Sequence, residues 1–463
     1  MRAASNRCDL TSGSIWRSLL LFALPLLAGS LVQQLYNTVD LIFVGNFIDK
    51  SASAAVGASS LLITCLVGVF GGIGVGSGIV IAQIFGSKDI ERFSRAIHNT
   101  AAMSIISGLL MMLLGYLLAP IYLRLVRTPA ELLDSATCYL RIYFLSFLAV
   151  VAYNFGSGIL RALGDSKSPL YAQLVGGLLN VAMDYLFIRV LDDGVNGVAW
   201  ATLISQTASA IMVLICLARL DPAYALRPAK IAFDRELLKQ TVSVGMPAGV
   251  QSLVITLSNV MVQYHINSFG EDAIAAFTAY FKVELLVYLP IVALGQSIMT
   301  FAGQNAGAGN WTRVRKGTVQ CAAMSMLLAA ATACVCLPFG EQLFRVFARE
   351  ESVIQLGRQI IGVTYPFYFI YPIFQVFGES MRGIGKSKVP MLIVLLNICL
   401  IRTALLFMIV PQVPSVTGVA AVYPITWVLT SICMVRYYMH FHRQRSTAEK
   451  GHLRAELAEN ENI

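Results

Sequence analysis

Apolar runs long enough to cross a lipid bilayer recur along this chain, and no other property narrows its possible folds as much. Met103 to Pro120 and Val389 to Val410 are two of them, each near the roughly 20 residues a helix needs to span about 30 Å of hydrocarbon. Only 13% of the residues are charged and 57% are hydrophobic, whereas a soluble domain carries about a quarter charged residues to cover its surface. The expected class is therefore an all-α integral membrane protein. High-hydropathy windows place twelve transmembrane helices near 17 to 45, 54 to 84, 97 to 123, 136 to 160, 168 to 190, 194 to 218, 238 to 268, 273 to 302, 314 to 339, 357 to 381, 389 to 410 and 418 to 439. The first run contains Gln33, Gln34, Asn37 and Asp40 and is too long for a cleaved signal, so it is expected to be retained.

The formal net charge is +9, but no stretch pairs a basic face with interleaved aromatics, and a nucleic-acid partner is not expected. Basic residues collect in the N-terminal segment, in every second loop and in the C-terminal tail. Examples are Lys88, Arg92 and Arg95, then Arg313, Arg315 and Lys316, whereas the opposite loops carry Asp192, Asp193, Glu271 and Asp272. That asymmetry predicts a multi-pass protein of the cytoplasmic (inner) membrane with both termini in the cytoplasm. The nine cysteines fall mostly inside apolar spans without ligand spacing, and read as small buried hydrophobes.

Shifting the chain on itself by about 221 residues brings separate segments into register, as a duplicated architecture requires. Leu24-Pro25 meets Met246-Pro247, Leu35-Tyr36-Asn37 meets Leu257-Ser258-Asn259, Gln83 meets Gln304, and Gly197-Val-Ala meets Gly418-Val-Ala. The loop from Arg161 to Pro169 likewise meets Arg382 to Pro390. Six spans per repeat make the repeats parallel, so the fold is expected to be two pseudo-symmetric six-helix bundles with a cavity between them. The expected division is 1–218 for the first bundle, 219–237 for a cytoplasmic linker, 238–440 for the second bundle and 441–463 for a cytoplasmic tail.

Acids break the symmetry. Asp40 and Asp184 lie deep in apolar spans, and their repeat partners are Val262 and Leu405. An unpaired ionised carboxylate at such a depth costs several kcal/mol. Asn180 and Asp184, four residues apart, share one helix face. Thr202, on the antiparallel neighbour across a short loop, can reach the same level. With Asp40 the set is two carboxylates, an amide oxygen and a hydroxyl, which suits Na⁺ or a single proton shared between carboxylates that resist ionising together. The alternative for Asp184 is a purely structural pairing between helices. Pro25 removes a backbone hydrogen bond early in the first span and is the expected bending point. Glu284 and Glu379 have Lys282 and Arg382 nearby in sequence and are expected to form structural ion pairs, and His265 to sit as a polar core residue. The glycines from Gly68 to Gly78 lack the ending of a phosphate loop and signal close helix contact instead. No catalytic set of Ser/His/Asp, Cys/His or HExxH type is present, so enzymatic activity is not expected.

The first-span sequence from Pro25 to Gly45 with its Leu-Tyr-Asn-Thr-Val-Asp40 centre, Gln83-Ile-Phe-Gly86, the Arg161-Ala-Leu-Gly-Asp loop, and Asn180 with Asp184 resemble the multidrug and toxic compound extrusion (MATE) transporters over nearly the whole chain. The resemblance implies two six-helix lobes around a central cleft and drug export by H⁺ or Na⁺ antiport, with no cofactor besides the coupling ion. It also implies a cation site in the N-terminal lobe, to which Asp40, Asn180, Asp184 and Thr202 correspond. Relatives that use a seventh-span Glu place it eight residues after the proline, where this chain has Ile255. Family drug contacts make Gln34, Tyr36 and Asn154, with the adjacent Asn37, the expected cavity lining. The expectation is a monomeric secondary antiporter, embedded in membrane lipid, that exports small amphiphilic, often cationic, organic compounds by alternating access. The alternative is a flippase for lipid-linked saccharides, which should line its cleft with basic residues.

Overall fold

Every regular element among the described residues is helical, as lipid demands of segments that must satisfy their own backbone amides. The computed structural model describes residues 9–47, 50–125 and 127–461, with side chains described for 9–40, 43, 63–125 and 127–447. Twelve helices there are long and apolar enough to span a membrane. They are α1 (Ile15–Asp40), α2 (Ile63–Gly86), α3 (Ile90–Leu125), α4 (Ala130–Ala162), α5 (Lys167–Val190), α6 (Gly194–Ala218), α7 (Arg235–Asn267), α8 (Glu271–Gly307), α9 (Trp311–Cys336), α10 (Glu351–Gly383), α11 (Lys388–Ile409) and α12 (Val416–Thr447). Helix α3 shows the signature of lipid contact: Ile106, Leu110, Leu113 and Leu117 recur at helical spacing and are all exposed.

Several spans depart from the hydropathy outline. Helix α3 starts at Ile90, because its first turns, though polar, pack against the linker. Helix α4 is broken at Ser146, whose hydroxyl donates to the Tyr143 carbonyl at 2.6 Å. The last turn of α5, Tyr185–Val190, is a π-helix, and α11 contains a second one at Leu395–Ile401. Such bulges often mark functional positions. The expected C-terminal tail is helical, since the helix of α12 runs on to Glu461. Helix α1 passes through Pro25 without interruption. Of the eight described cysteines, none in a disulfide, Cys321, Cys336 and Cys399 are buried while Cys138, Cys334 and Cys433 are exposed. Lipid is as acceptable a surrounding for a thiol as a protein core, so burial was not needed.

The chain falls into two compact units. The first comprises Met1–Thr256, Val292–Cys321 and Arg382–Met391, the second Leu257–Ile291, Ala322–Met381 and Leu392–Ile463. Within the first, α5 packs along α1 and α6, over a core that includes Tyr139, Phe144, Phe147, Ile188 and Val198. Glycines bring α2 against the start of α7: a Cβ on Gly76 would sit 2.5 Å from the Gly245 Cα, and one on Gly249 2.6 Å from the Val69 carbonyl oxygen. No side chain fits between these backbones, which explains the glycine run that the sequence shows at Gly68 to Gly78.

The linker is clasped by α3. Backbone N–H groups of Arg227 and Asp234 donate to His98 Nε2 at 3.1 Å and to Asn99 Oδ1 at 3.0 Å, and Tyr224 meets the Phe93 ring edge-on at 5.1 Å. Asn99 is buried, so Asn99→Ala strands the Asp234 N–H at a local cost of about 1–3 kcal/mol. Trypsin cleavage after Lys230 is expected to accelerate roughly tenfold in that variant, without a change in global melting temperature. The exposed ion pairs Arg92–Glu236 and Arg95–Asp234, each 3.2 Å, add little.

The second unit has an aromatic core. Trp427 is fully buried, and Tyr368, Tyr371 and Tyr423 surround it with ring centroids at 4.9, 5.7 and 6.1 Å. Glu284 accepts the Tyr368 hydroxyl at 3.0 Å and the Tyr280 hydroxyl at 3.3 Å. These tyrosines, not Lys282, are its partners, because residues two apart point to different helix faces and Lys282 is exposed. Arg402 is buried, stacks over the Tyr423 ring at 4.6 Å and donates to the Thr426 hydroxyl at 3.2 Å. Glu379 accepts Gln375 at 3.4 Å, and in the first unit Arg382 donates to Gln251. His265 is buried, with Nδ1 2.9 Å from the Met261 carbonyl oxygen and its ring edge-on to Phe407.

Candidate functional site

Gly176-Gly177 in α5 lets two neighbours come close one turn before Asn180. A Cβ on Gly177 would touch the Tyr36 ring of α1 at 3.3 Å, and one on Gly176 would fall on the Ser209 hydroxyl of α6. Held this tightly, α1, α5 and α6 line, together with α2, α4 and Ser252 of α7, an open cavity of about 670 Å³ inside the first unit, within the range of small-molecule sites. Tyr36, Asn37 and Asp40 of α1 line it, as do Asn154 of α4, Asn180 of α5 and Thr202 of α6. Gln34 does not. The lining stripe of α1 is Gln33, Tyr36, Asn37 and Asp40, spaced three and four apart, and Gln34 lies roughly 100° around the helix from Gln33. Its carbonyl oxygen accepts the Thr38 hydroxyl at 2.8 Å. Pro25, about four turns before Asp40 in the same helix, is outside this cavity as well.

Asp184 is completely buried and Asn180 is 3% exposed. The carboxyls of Asp40 and Asp184 lie within hydrogen-bonding reach of each other. Among the described residues no donor reaches either carboxylate oxygen of Asp184, Oδ1 of Asp40 or Oδ1 of Asn180. The Thr202 hydroxyl donates to the Val198 carbonyl at 2.9 Å, which commits its proton and leaves its lone pairs. The arrangement is thus a cluster of buried acceptor oxygens that no donor among the described residues reaches. Two facing carboxylates in such a place need a proton or a small cation for their charge, and the four residues fit Na⁺ as hard oxygen ligands. One proton held between the carboxyls would serve equally.

The aromatic and amide lining extends beyond the residues expected from sequence. Tyr139 and Tyr143, one turn apart on α4, face the cavity, and so do Tyr153, Gln173 and Gln206. The Tyr153 hydroxyl donates to Gln173 Oε1 at 2.6 Å. The i, i+4 spacing of Tyr139 and Tyr143 was a usable signal, whereas Gln173 and Gln206 stand alone in sequence. Among the described lining residues Asp40 is the charged one, with no Lys or Arg, so the basic lining that a lipid-linked saccharide needs is not found there.

Comparison with known proteins bears on the family and the fold. The MatE family model matches the chain twice, over residues 25–186 and 247–408, once in each half of the repeat. The protein named "Probable multidrug resistance protein YoeA" of Bacillus subtilis (strain 168) is 26% identical over 433 residues, covering 92% of this chain and 94% of its own. "Multidrug export protein MepA" of Staphylococcus saprophyticus is 21% identical over 377 residues, covering 81% and 83%. The crystal structure described as MATE in the straight conformation superposes with a TM-score of 0.87 at 21% identity, covering 95% of this chain and 98% of its own. With twelve membrane-spanning helices, a duplicated sequence and the family model matched in both halves, the chain belongs to the MatE family of multidrug and toxic compound extrusion transporters.

Proposed function

We propose that the protein is a secondary active antiporter that exports amphiphilic, often cationic, organic compounds in exchange for H⁺ or Na⁺. Asp40, Asn180, Asp184 and Thr202 form the coupling site, and Tyr36, Asn37 and Asn154 contribute to the substrate cavity. The observation that carries this reading is the cluster of acceptor oxygens around the buried Asp184 that no donor among the described residues reaches. Filling it with a proton or Na⁺ removes a buried charge and so changes which helix packing is favoured, and a cationic substrate competes for the same negative cup. The lobes follow the repeat, 1–218 and 238–440, the basic loops and both termini face the cytoplasm, and the protein acts as a monomer in the membrane.

Proteoliposomes test the reading with tetraphenylphosphonium as probe and the membrane potential clamped. Vesicles loaded with Na⁺ at equal pH, or acid inside at equal Na⁺, should accumulate the probe in one of the two cases. If neither gradient drives accumulation, antiport is excluded for this class of substrate.

A further inference from the structure

At one end of the first unit the two halves of the repeat touch through a matched pair of contacts. Helix α2 ends in Gln83-Ile-Phe-Gly86 and α8 ends in Gln304-Asn-Ala-Gly307, equivalent places in the duplicated sequence. Gln83 Nε2 donates to the Gly383 carbonyl at 2.8 Å, and Gln304 Nε2 donates to the Ala162 carbonyl at 2.8 Å. The two acceptors are equivalent as well, being the last residues of α10 and α4. Carbonyls at a helix C-terminus have no donor within their own helix. Each glutamine therefore supplies, from one half, the donor that a helix end of the other half lacks.

Backbone contact tightens the arrangement. A Cβ on Gly86 would land on the Gln304 carbonyl oxygen, and one on Gly307 on the Gln83 carbonyl oxygen. Gln304 is fully buried, so water does not reach its amide in this state. The glycine seam between α2 and α7 continues the closure from Gly76 toward Gly68, where a Cβ would meet the Ser252 hydroxyl at 2.6 Å. Ser252 and Gly68 are themselves lining residues of the cavity that holds Asp40. The contacts thus run from the ends of α2 and α8 to the cavity wall.

We propose that Gln83 and Gln304 are the reciprocal gate-closing pair of the transport cycle, holding this end of the cavity shut and exchanging their helix-end carbonyls for water when it opens. The proposal rests on the alternating-access reading above. Both side chains are neutral, so the latch adds no ion requirement of its own and leaves occupancy of the Asp40–Asp184 site to decide when it opens. Two-fold matching has a further consequence: each bond joins a residue of one half of the repeat to a helix end of the other, so parting the two halves at this end removes both.

Hydrogen–deuterium exchange on the full chain in lipid nanodiscs tests it. In Gln83→Leu/Gln304→Leu, exchange in the α7 segment 241–252 is expected to rise about tenfold over wild type, with segment 130–145 of α4 unchanged. Gly86→Ala should give the same local rise by prying the ends apart. If the double variant does not fold, Gln83→Leu and Gln304→Leu singly carry the test, each with a roughly threefold rise of similar size. Unchanged exchange at 241–252 in the folded variants, or an equal rise at 130–145, overturns the gate. Antiport is judged separately, by whether wild-type accumulation of tetraphenylphosphonium depends on Asp40.

Discussion

Asp184→Asn is expected to stop gradient-driven accumulation of tetraphenylphosphonium, lowering the initial rate about 100-fold or more. The side chain is completely buried, and among the described residues no donor reaches either of its carboxylate oxygens. Its charge is therefore answered only by the coupling ion, and a buried charge left unanswered costs about 3–5 kcal/mol, enough to set the balance between two helix packings. An asparagine of the same shape has no charge to neutralise, so binding an ion no longer changes that balance. The same substitution should raise the melting temperature measured without coupling ion, because the uncompensated carboxylate is gone. Wild type should gain stability with the ion that couples, whether Na⁺ at fixed pH or protons as pH falls, since a ligand that binds the folded state stabilises it. Asp184→Asn should gain less from either, with Asp40 left as the one carboxyl of the pair. Asp40→Asn is expected to abolish transport too, as it removes the facing carboxyl. Transport at wild-type rate by either variant would show that the cluster is structural.

Trp427→Ala should be the most destabilising substitution in the second unit. The indole is fully buried among Tyr368, Tyr371 and Tyr423. Removing a side chain of this size from a packed interior costs about 3–5 kcal/mol, most of it from contacts that the surroundings cannot close up to recover. Lipid does not change that, because packing contacts remain when the hydrophobic driving force between helices is weak. The loss should also loosen Tyr368 and with it the hydrogen bond to Glu284. Thermal melting in detergent reads the effect, with Trp427→Phe expected to recover about half of it. A melting temperature within a degree or two of wild type would mean that the aromatic cluster contributes little to the fold.

Hydropathy alone located the spans because a lipid-facing helix such as α3 is apolar on its outer surface as well as its inner one, and the signal is continuous. The meeting of the two acids was legible for the opposite reason. Asp40 and Asp184 interrupt apolar runs, and the i, i+4 spacing of Asn180 and Asp184 fixes their common face. What remained hidden depends on contacts between distant segments. Hydropathy has no term for the break at Ser146 or the π turn after Asp184, both of which change the backbone hydrogen bonding of a span without changing its polarity. Glu284 was paired in sequence with its nearest cation, yet its partners Tyr280 and Tyr368 come from its own helix face and from α10. Gln34 was placed in the cavity by analogy, and its position on the turn sets it off the stripe that carries Tyr36 and Asn37. Gln83 and Gln304 were visible as repeat equivalents, but nothing local tells that each reaches the helix end of the other half.

Thr202 directs its only proton at Val198, and this has a bearing on which guests the cup admits. Together with Asp184 and the Asn180 oxygen it presents lone pairs alone. Under the proposed role, a visitor to these oxygens is expected to bring its own positive field or its own donor hydrogens, and anions are expected to bind there more weakly than ammonium cations. Competing guests should rank there by the number of N–H groups they can turn inward.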